Sequence, residues 1–163
     1  MKRRDFLVST TLGSIGLGAG EFSLAASREA QTSQSQNRKI FIAGGGFRTP
    51  FIRHLATLTG KDRPKLCYLP TASADRDSGI IRWYENCAPL NVIPSVQASF
   101  ISSGRMTKTF SEVLLSVDGI VVSGGNTLNQ QVIWKAHGID GVLREAWDRG
   151  IVLGGASAGS LCW

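Results

Sequence analysis

Residues 119–163 read GIVVSGGNTLNQQVIWKAHGIDGVLREAWDRGIVLGGASAGSLCW. Gly119–Val122 is a continuous apolar run that stops at Ser123-Gly124-Gly125-Asn126-Thr127. A short run of this kind, closed by turn residues, reads as a strand buried on both faces. Leu128–His137 and Ile139–Arg149 then read as two helical stretches joined at Gly138. Ile139, Val142, Leu143, Ala146 and Trp147 recur at helical spacing and give the second stretch an apolar stripe. Gly150 stands where a left-handed residue closes such a helix. Ile151–Leu153 is another buried strand, running into Gly154-Gly155-Ala156-Ser157-Ala158-Gly159.

The same alternation extends upstream. Lys39–Ala43 reads as a buried strand ending in Gly44-Gly45-Gly46, and Pro50–Leu58 as a helix with Phe51, Leu55 and Leu58 on one face. Lys65–Leu69 is a strand closing at Pro70-Thr71-Ala72-Ser73, followed by a helix over Ser78–Ala88. Val92–Ile101 holds a further strand, and Thr107–Leu115 a further helix. Buried strands alternating with amphipathic helices predict an α/β fold: a doubly wound, mostly parallel sheet flanked by helices on both faces. In such sheets the working groups gather beyond the carboxyl ends of the strands. Thr71–Ser73, Gly124–Thr127 and Ala156–Gly159 are therefore expected along one edge.

The 163 residues, 42% of them hydrophobic, suit one compact domain and not two. The net charge is +6, with three of the basic residues among the first four. The other Lys and Arg are scattered, without a basic run or interleaved aromatics, so a nucleic-acid partner is not expected. Cys67, Cys87 and Cys162 form no CxxC pair, and no metal or other cofactor is expected from their spacing. Cys67 and Cys162 read as small core residues, while a Cys67–Cys87 bridge stays open in an oxidising compartment.

Residues 1–25 begin Met-Lys-Arg-Arg-Asp-Phe-Leu and continue as a weakly apolar stretch rich in Gly, Ser and Thr. A basic flank, an apolar core and a small-residue exit at Ser23 and Ala25 match a twin-arginine export signal. The stretch is too weakly apolar to span a membrane stably. The expected location is therefore periplasmic or secreted, with no membrane anchor once the signal is removed. Residues 26–37, rich in Ser, Gln and Ala, read as a flexible lead-in. Residues 38–163 are the expected body.

Gly155-Ala156-Ser157-Ala158-Gly159 fits G-x-S-x-G, in which a strand turns sharply into a helix with a serine at the apex. Small residues two before and two after Ser157 let the two elements approach. The following N–H, of Ala158, faces developing negative charge as an oxyanion donor. A second donor must come from a neighbouring strand's loop, and Gly124-Gly125 is the candidate. Gly44-Gly45-Gly46-Phe47-Arg48-Thr49 lacks the last glycine of a dinucleotide-binding loop, and no acidic residue closes the next strand.

Val121–Trp163 closely resembles the dipeptidase E and cyanophycinase family of serine peptidases. Gly124-Gly125-Asn126-Thr127, Ser157-Ala158-Gly159 and Pro70-Thr71-Ala72-Ser73 carry the resemblance, which extends over about residues 38–163. It implies a fold like that of class I glutamine amidotransferases, here incomplete at the carboxyl end. It also implies Ser157 as nucleophile, the N–H groups of Gly125 and Ala158 as oxyanion hole, and Gly124 and Asn126 as substrate-facing loop residues. The implied reaction is acyl transfer from small peptides with an amino-terminal Asp. The alternatives are hydrolysis of the aspartyl–arginine polymer cyanophycin, or a binding member of the fold without catalysis. In this family the catalytic His lies downstream of the serine with an acidic partner. His54 and His137 match neither the position nor the context, so residues 38–163 are expected to be a partial peptidase domain, inactive without its base.

Overall fold

The computed structural model describes residues 38–100 and 107–163. The expected export signal and lead-in lie outside the described residues. Five strands are described: β1 (Ile40–Ala43), β2 (Lys65–Leu69), β3 (Ile93–Val96), β4 (Gly119–Val122) and β5 (Val152–Ala156). They form one sheet in the order β1-β5-β4-β2-β3, and every neighbouring pair is parallel. The helices are α1 (Thr49–Leu58), α2 (Asp77–Cys87), α3 (Phe110–Leu114), α4 (Thr127–His137), α5 (Ile139–Asp148) and α6 (Ala158–Leu161). The α/β expectation holds.

The two-residue period of the strands splits their side chains between two cores. Leu66, Tyr68, Val121 and Val152 pack with Phe51, Ile52 and Leu55 of α1 and Trp83 and Cys87 of α2. Cys67, Leu69, Ile120, Val122 and Leu153 face the other way, onto Leu114, Trp134, Ile139, Leu143 and Ala146. Cys67 and Cys87 therefore lie on opposite sides of the sheet, which rules out the bridge left open above. All three cysteines are free.

Two strands, β1 and β5, differ from expectation in ways that matter for the site. β1 is an edge strand rather than a buried one, with Ile40 and Ile42 exposed at 43% and 55%. β3, at Ile93–Val96, falls inside the Val92–Ile101 window expected to hold a strand. Pro94 suits this edge strand, having no N–H for a further neighbour. Beyond it, the N–H groups of Ser99 and Phe100 leave the ladder and donate to the Asp75 carboxylate, both at 2.6 Å. β5 continues past Leu153, because Gly154, Gly155 and Ala156 keep register with Phe41, Ile42 and Ala43. Its glycines are there to make room. A Cβ at Gly154 would stand 2.3 Å from Leu55 Cδ1, and one at Gly119 would stand 2.9 Å from Leu55 Cδ2. Leu55 is fully buried and fills the space that both glycines leave.

Gly154→Ala should cost about 1–3 kcal/mol through overpacking. The same change in a Leu55→Ala background should cost at least about 0.5 kcal/mol less, as a double-mutant cycle in urea would show. The thiols give a second expectation. Burial pushes Cys67 up to about 11 and Cys87 up to about 12, from an ordinary 9.0. A raised folded pKa means the unfolded chain loses its protons first. Stability from these thiols is complete below about pH 9 and declines as pH rises toward 11–12. Cys87→Ala should flatten the fall in urea midpoint between pH 8 and pH 10, roughly the lower part of that window.

Candidate active site

Ser157 is the junction between β5 and α6 and adopts φ 55°, ψ −121°. A non-glycine residue there is strained by about 1–3 kcal/mol and persists only where its surroundings fix it. Both sides of the residue are fixed. Its N–H donates to the Ala43 carbonyl at 3.0 Å, and its carbonyl accepts from the Ser160 N–H at 2.8 Å and from Ser160 Oγ at 2.6 Å. The side chain is exposed, and its hydroxyl has no hydrogen-bond partner among the described residues.

The glycines around it are required by close backbone approach. A Cβ at Gly155 would lie 2.0 Å from the Gly159 carbonyl oxygen, and one at Gly159 would lie 2.4 Å from that of Val122. The turn is thus seated directly on the end of β4. Gly124 comes next: a Cβ there would stand 3.1 Å from Ser157 Cβ and 3.6 Å from its Oγ. Gly125 has φ 146°, and a Cβ on it would meet the Ala72 carbonyl oxygen at 2.0 Å. The N–H groups of Gly125 and Ala158 donate to no partner among the described residues. The structure therefore brings Ser157, Ala158, Gly124 and Gly125 together.

Asn126 has a different place. Its Oδ1 caps α4 by accepting from the Asn129 N–H at 2.9 Å, and its own N–H donates to the Ala72 carbonyl at 2.8 Å. It holds the glycine loop rather than projecting its acceptor into the site. The loop after β2 is the buttress. Thr71, fully buried, has its hydroxyl 2.9 Å from Ser99 Oγ and accepts from Trp134 Nε1 at 3.2 Å. Ala74 and Asp75 that follow both have positive φ, 54° and 55°.

The histidines stand elsewhere. His54, on α1, packs against Phe41 at 4.6 Å, and His137 packs against Phe110 at 5.5 Å. His137 ends α4, roughly 15 Å along the helix axis from the glycine loop that begins it. Neither is hydrogen-bonded to Ser157. Sequence reasoning missed Tyr68, Arg76 and Arg82, which line a cavity bounded by Gly124. Tyr68 read only as one apolar position of a strand. Arg76 precedes α2 and Arg82 lies within it, so no helical period links the two.

A family model described as peptidase family S51 matches residues 40–163. The chain is 36% identical over 129 residues to the uncharacterized peptidase YgaJ of Bacillus subtilis (strain 168), covering 76% of this chain and 55% of that one. A crystal structure assigned to peptidase E of Listeria monocytogenes EGD-e superposes with a TM-score of 0.58 at 20% identity, over 75% of this chain and 59% of that one. A peptidase from an acI-B1 actinobacterium superposes with a TM-score of 0.61 at 19% identity, over 74% and 54% of the two chains. These two likenesses support the fold. The chain spans little more than half the length of the proteins it matches.

The seating of the turn can be tested without any assay of activity. Gly155→Ala and Gly159→Ala should each lower the melting temperature by several degrees, since a displaced backbone costs more than about 1 kcal/mol. Gly45→Ala, where a Cβ meets nothing within 4 Å, should leave it within about a degree.

Proposed function

The chain belongs to peptidase family S51, and from that premise we propose that it carries the nucleophile half of an exported serine exopeptidase. The observation that supports this most is the exposed Ser157 hydroxyl on a strained bend, beside two unpaired N–H groups. The substrate class is small peptides with an amino-terminal Asp.

Ser157 Oγ would attack the carbonyl carbon of the scissile bond while losing its proton to a base. The carbonyl oxygen takes the negative charge of the tetrahedral intermediate between the N–H groups of Gly125 and Ala158. The C–N bond then breaks, the amine leaves with a proton from that base, and an ester to Ser157 remains. Water hydrolyses the ester and restores the hydroxyl. A serine at its free pKa needs this base, and neither His54 nor His137 is placed to serve. We assign the base to a part of the whole protein beyond residue 163, as the greater length of the relatives suggests. Export rests on the Arg3-Arg4 signal and leaves the mature enzyme outside the cytoplasm.

In the whole protein, Ser157→Ala should lower kcat on aspartyl dipeptides by about 10⁴-fold or more without loss of folded protein. Equal turnover by the two forms would refute the assignment.

A further inference from the structure

Next to Ser157 lies a cavity of about 260 Å³, and Gly124 is part of its wall. Two of its lining residues are Arg76 and Arg82; no acidic side chain lines it. Neither guanidinium forms an ion pair among the described residues. The nearby Asp75 does not line the cavity; its Oδ2 accepts the N–H groups of Ser99 and Phe100, and its Oδ1 is buried without a hydrogen-bond partner among the described residues. Asp77 is exposed on the first turn of α2. Three hydroxyls, of Tyr68, Ser73 and Ser78, complete the polar lining; that of Ser73 donates to the Pro70 carbonyl at 2.9 Å, which leaves Tyr68 and Ser78 as the donors. Burial pushes the Tyr68 phenol above its ordinary value, so it remains a neutral hydrogen-bond donor. α2 also begins at this cavity. The N–H groups of Gly79 and Ile80 bond the Arg76 carbonyl, whereas those of Asp77 and Ser78 have no partner among the described residues. They add the positive end of an eleven-residue helix to the two guanidiniums.

Unpaired arginines, hydroxyl donors and a helix amino terminus around one hollow select an anion. Arginine favours carboxylate through two parallel hydrogen bonds. We propose that this cavity binds a carboxylate of the peptide substrate, with Arg76 and Arg82 as the residues that hold it. This rests on the peptidase reading of Ser157. The carboxylate has two possible sources, an acidic side chain beside the scissile bond or the free carboxyl terminus of a short peptide. Gly124, which walls the cavity and lies against Ser157, places the cavity on the same side of the sheet edge as the serine.

The test uses the whole protein and three substrates: Asp-Leu, Asn-Leu and Asp-Leu amide. Arg76→Ala and Arg82→Ala should each lower kcat/KM on Asp-Leu by about 10–100-fold, the range of one charge-assisted hydrogen bond. Arg82→Lys should recover part of the loss. If the side chain is bound, the penalty disappears on Asn-Leu and persists on the amide; if the carboxyl terminus is bound, the pattern reverses. Calorimetry of Asp-Leu binding to the Ser157→Ala protein should show the same weakening when Arg82→Ala is added. Unchanged kcat/KM and unchanged binding in the Arg76→Ala, Arg82→Ala double variant would overturn the proposal. Failure of the peptidase reading has a different signature, equal turnover by wild type and Ser157→Ala, and the calorimetry would still report on the cavity.

Discussion

The Gly159 carbonyl oxygen occupies the place where any side chain at position 155 would begin, and the Val122 carbonyl does the same to position 159. Three backbone segments, the end of β4, the end of β5 and the start of α6, are thus in contact with nothing between them. That contact leaves Ser157 no room to relax. Its N–H is held by Ala43 on the neighbouring strand and its carbonyl by Ser160 one turn onward. The residue stays in a backbone conformation it would otherwise leave, and its hydroxyl points into solvent because the interior is full of main chain. A larger residue at 155 or 159 would separate the strand from the helix and let the serine fall back to ordinary geometry.

The same constraint organises the neighbouring loops. Gly125 lies against the Ala72 carbonyl, and Asn126 bonds that same oxygen through its N–H. The loop after β2 therefore supports the loop after β4, and Thr71 ties both to Trp134 of α4 and to Ser99 beyond β3. Among the described residues, the non-glycine positions with positive φ are Ala74, Asp75 and Ser157, all at this edge of the sheet. Strain of this kind survives where packing over-determines the backbone. Here the two cores beneath the edge supply that rigidity.

Much of this could be read from the chain. Gly119–Val122 matches β4 in both boundaries, and Ile139–Arg149 differs from α5 by one residue, because uninterrupted apolar runs and 3.6-residue stripes report burial directly. The glycine spacing around Ser157 was legible because close backbone approach admits no other residue. β1 misled, because an apolar run of four residues looks the same at the centre and at the edge of a sheet. β5 extends beyond its apolar run, because Gly154 and Gly155 look like a turn in the sequence while Leu55 fills the space at the first and the Gly159 backbone that at the second. Tyr68, Arg76 and Arg82 were invisible for a different reason. They meet through the β2–α2 connection, and nothing in their spacing encodes that meeting.

Gly124 joins the surroundings of Ser157 to the arginine-lined cavity. It stands within van der Waals reach of the Ser157 side chain on one side and walls the arginine-lined cavity on the other. A Cβ at this position would press on Ser157 Cβ at 3.1 Å and on the Ala156 carbonyl at 3.2 Å, so even alanine must shift the serine turn. Under the proposed reading, the reacting hydroxyl and the anion-binding cavity would share this one residue as a partition. A substrate anchored by its carboxylate would then be held close to the serine. Binding energy gained in the cavity would act on the position of the scissile carbonyl, the use of remote binding that raises kcat as well as affinity.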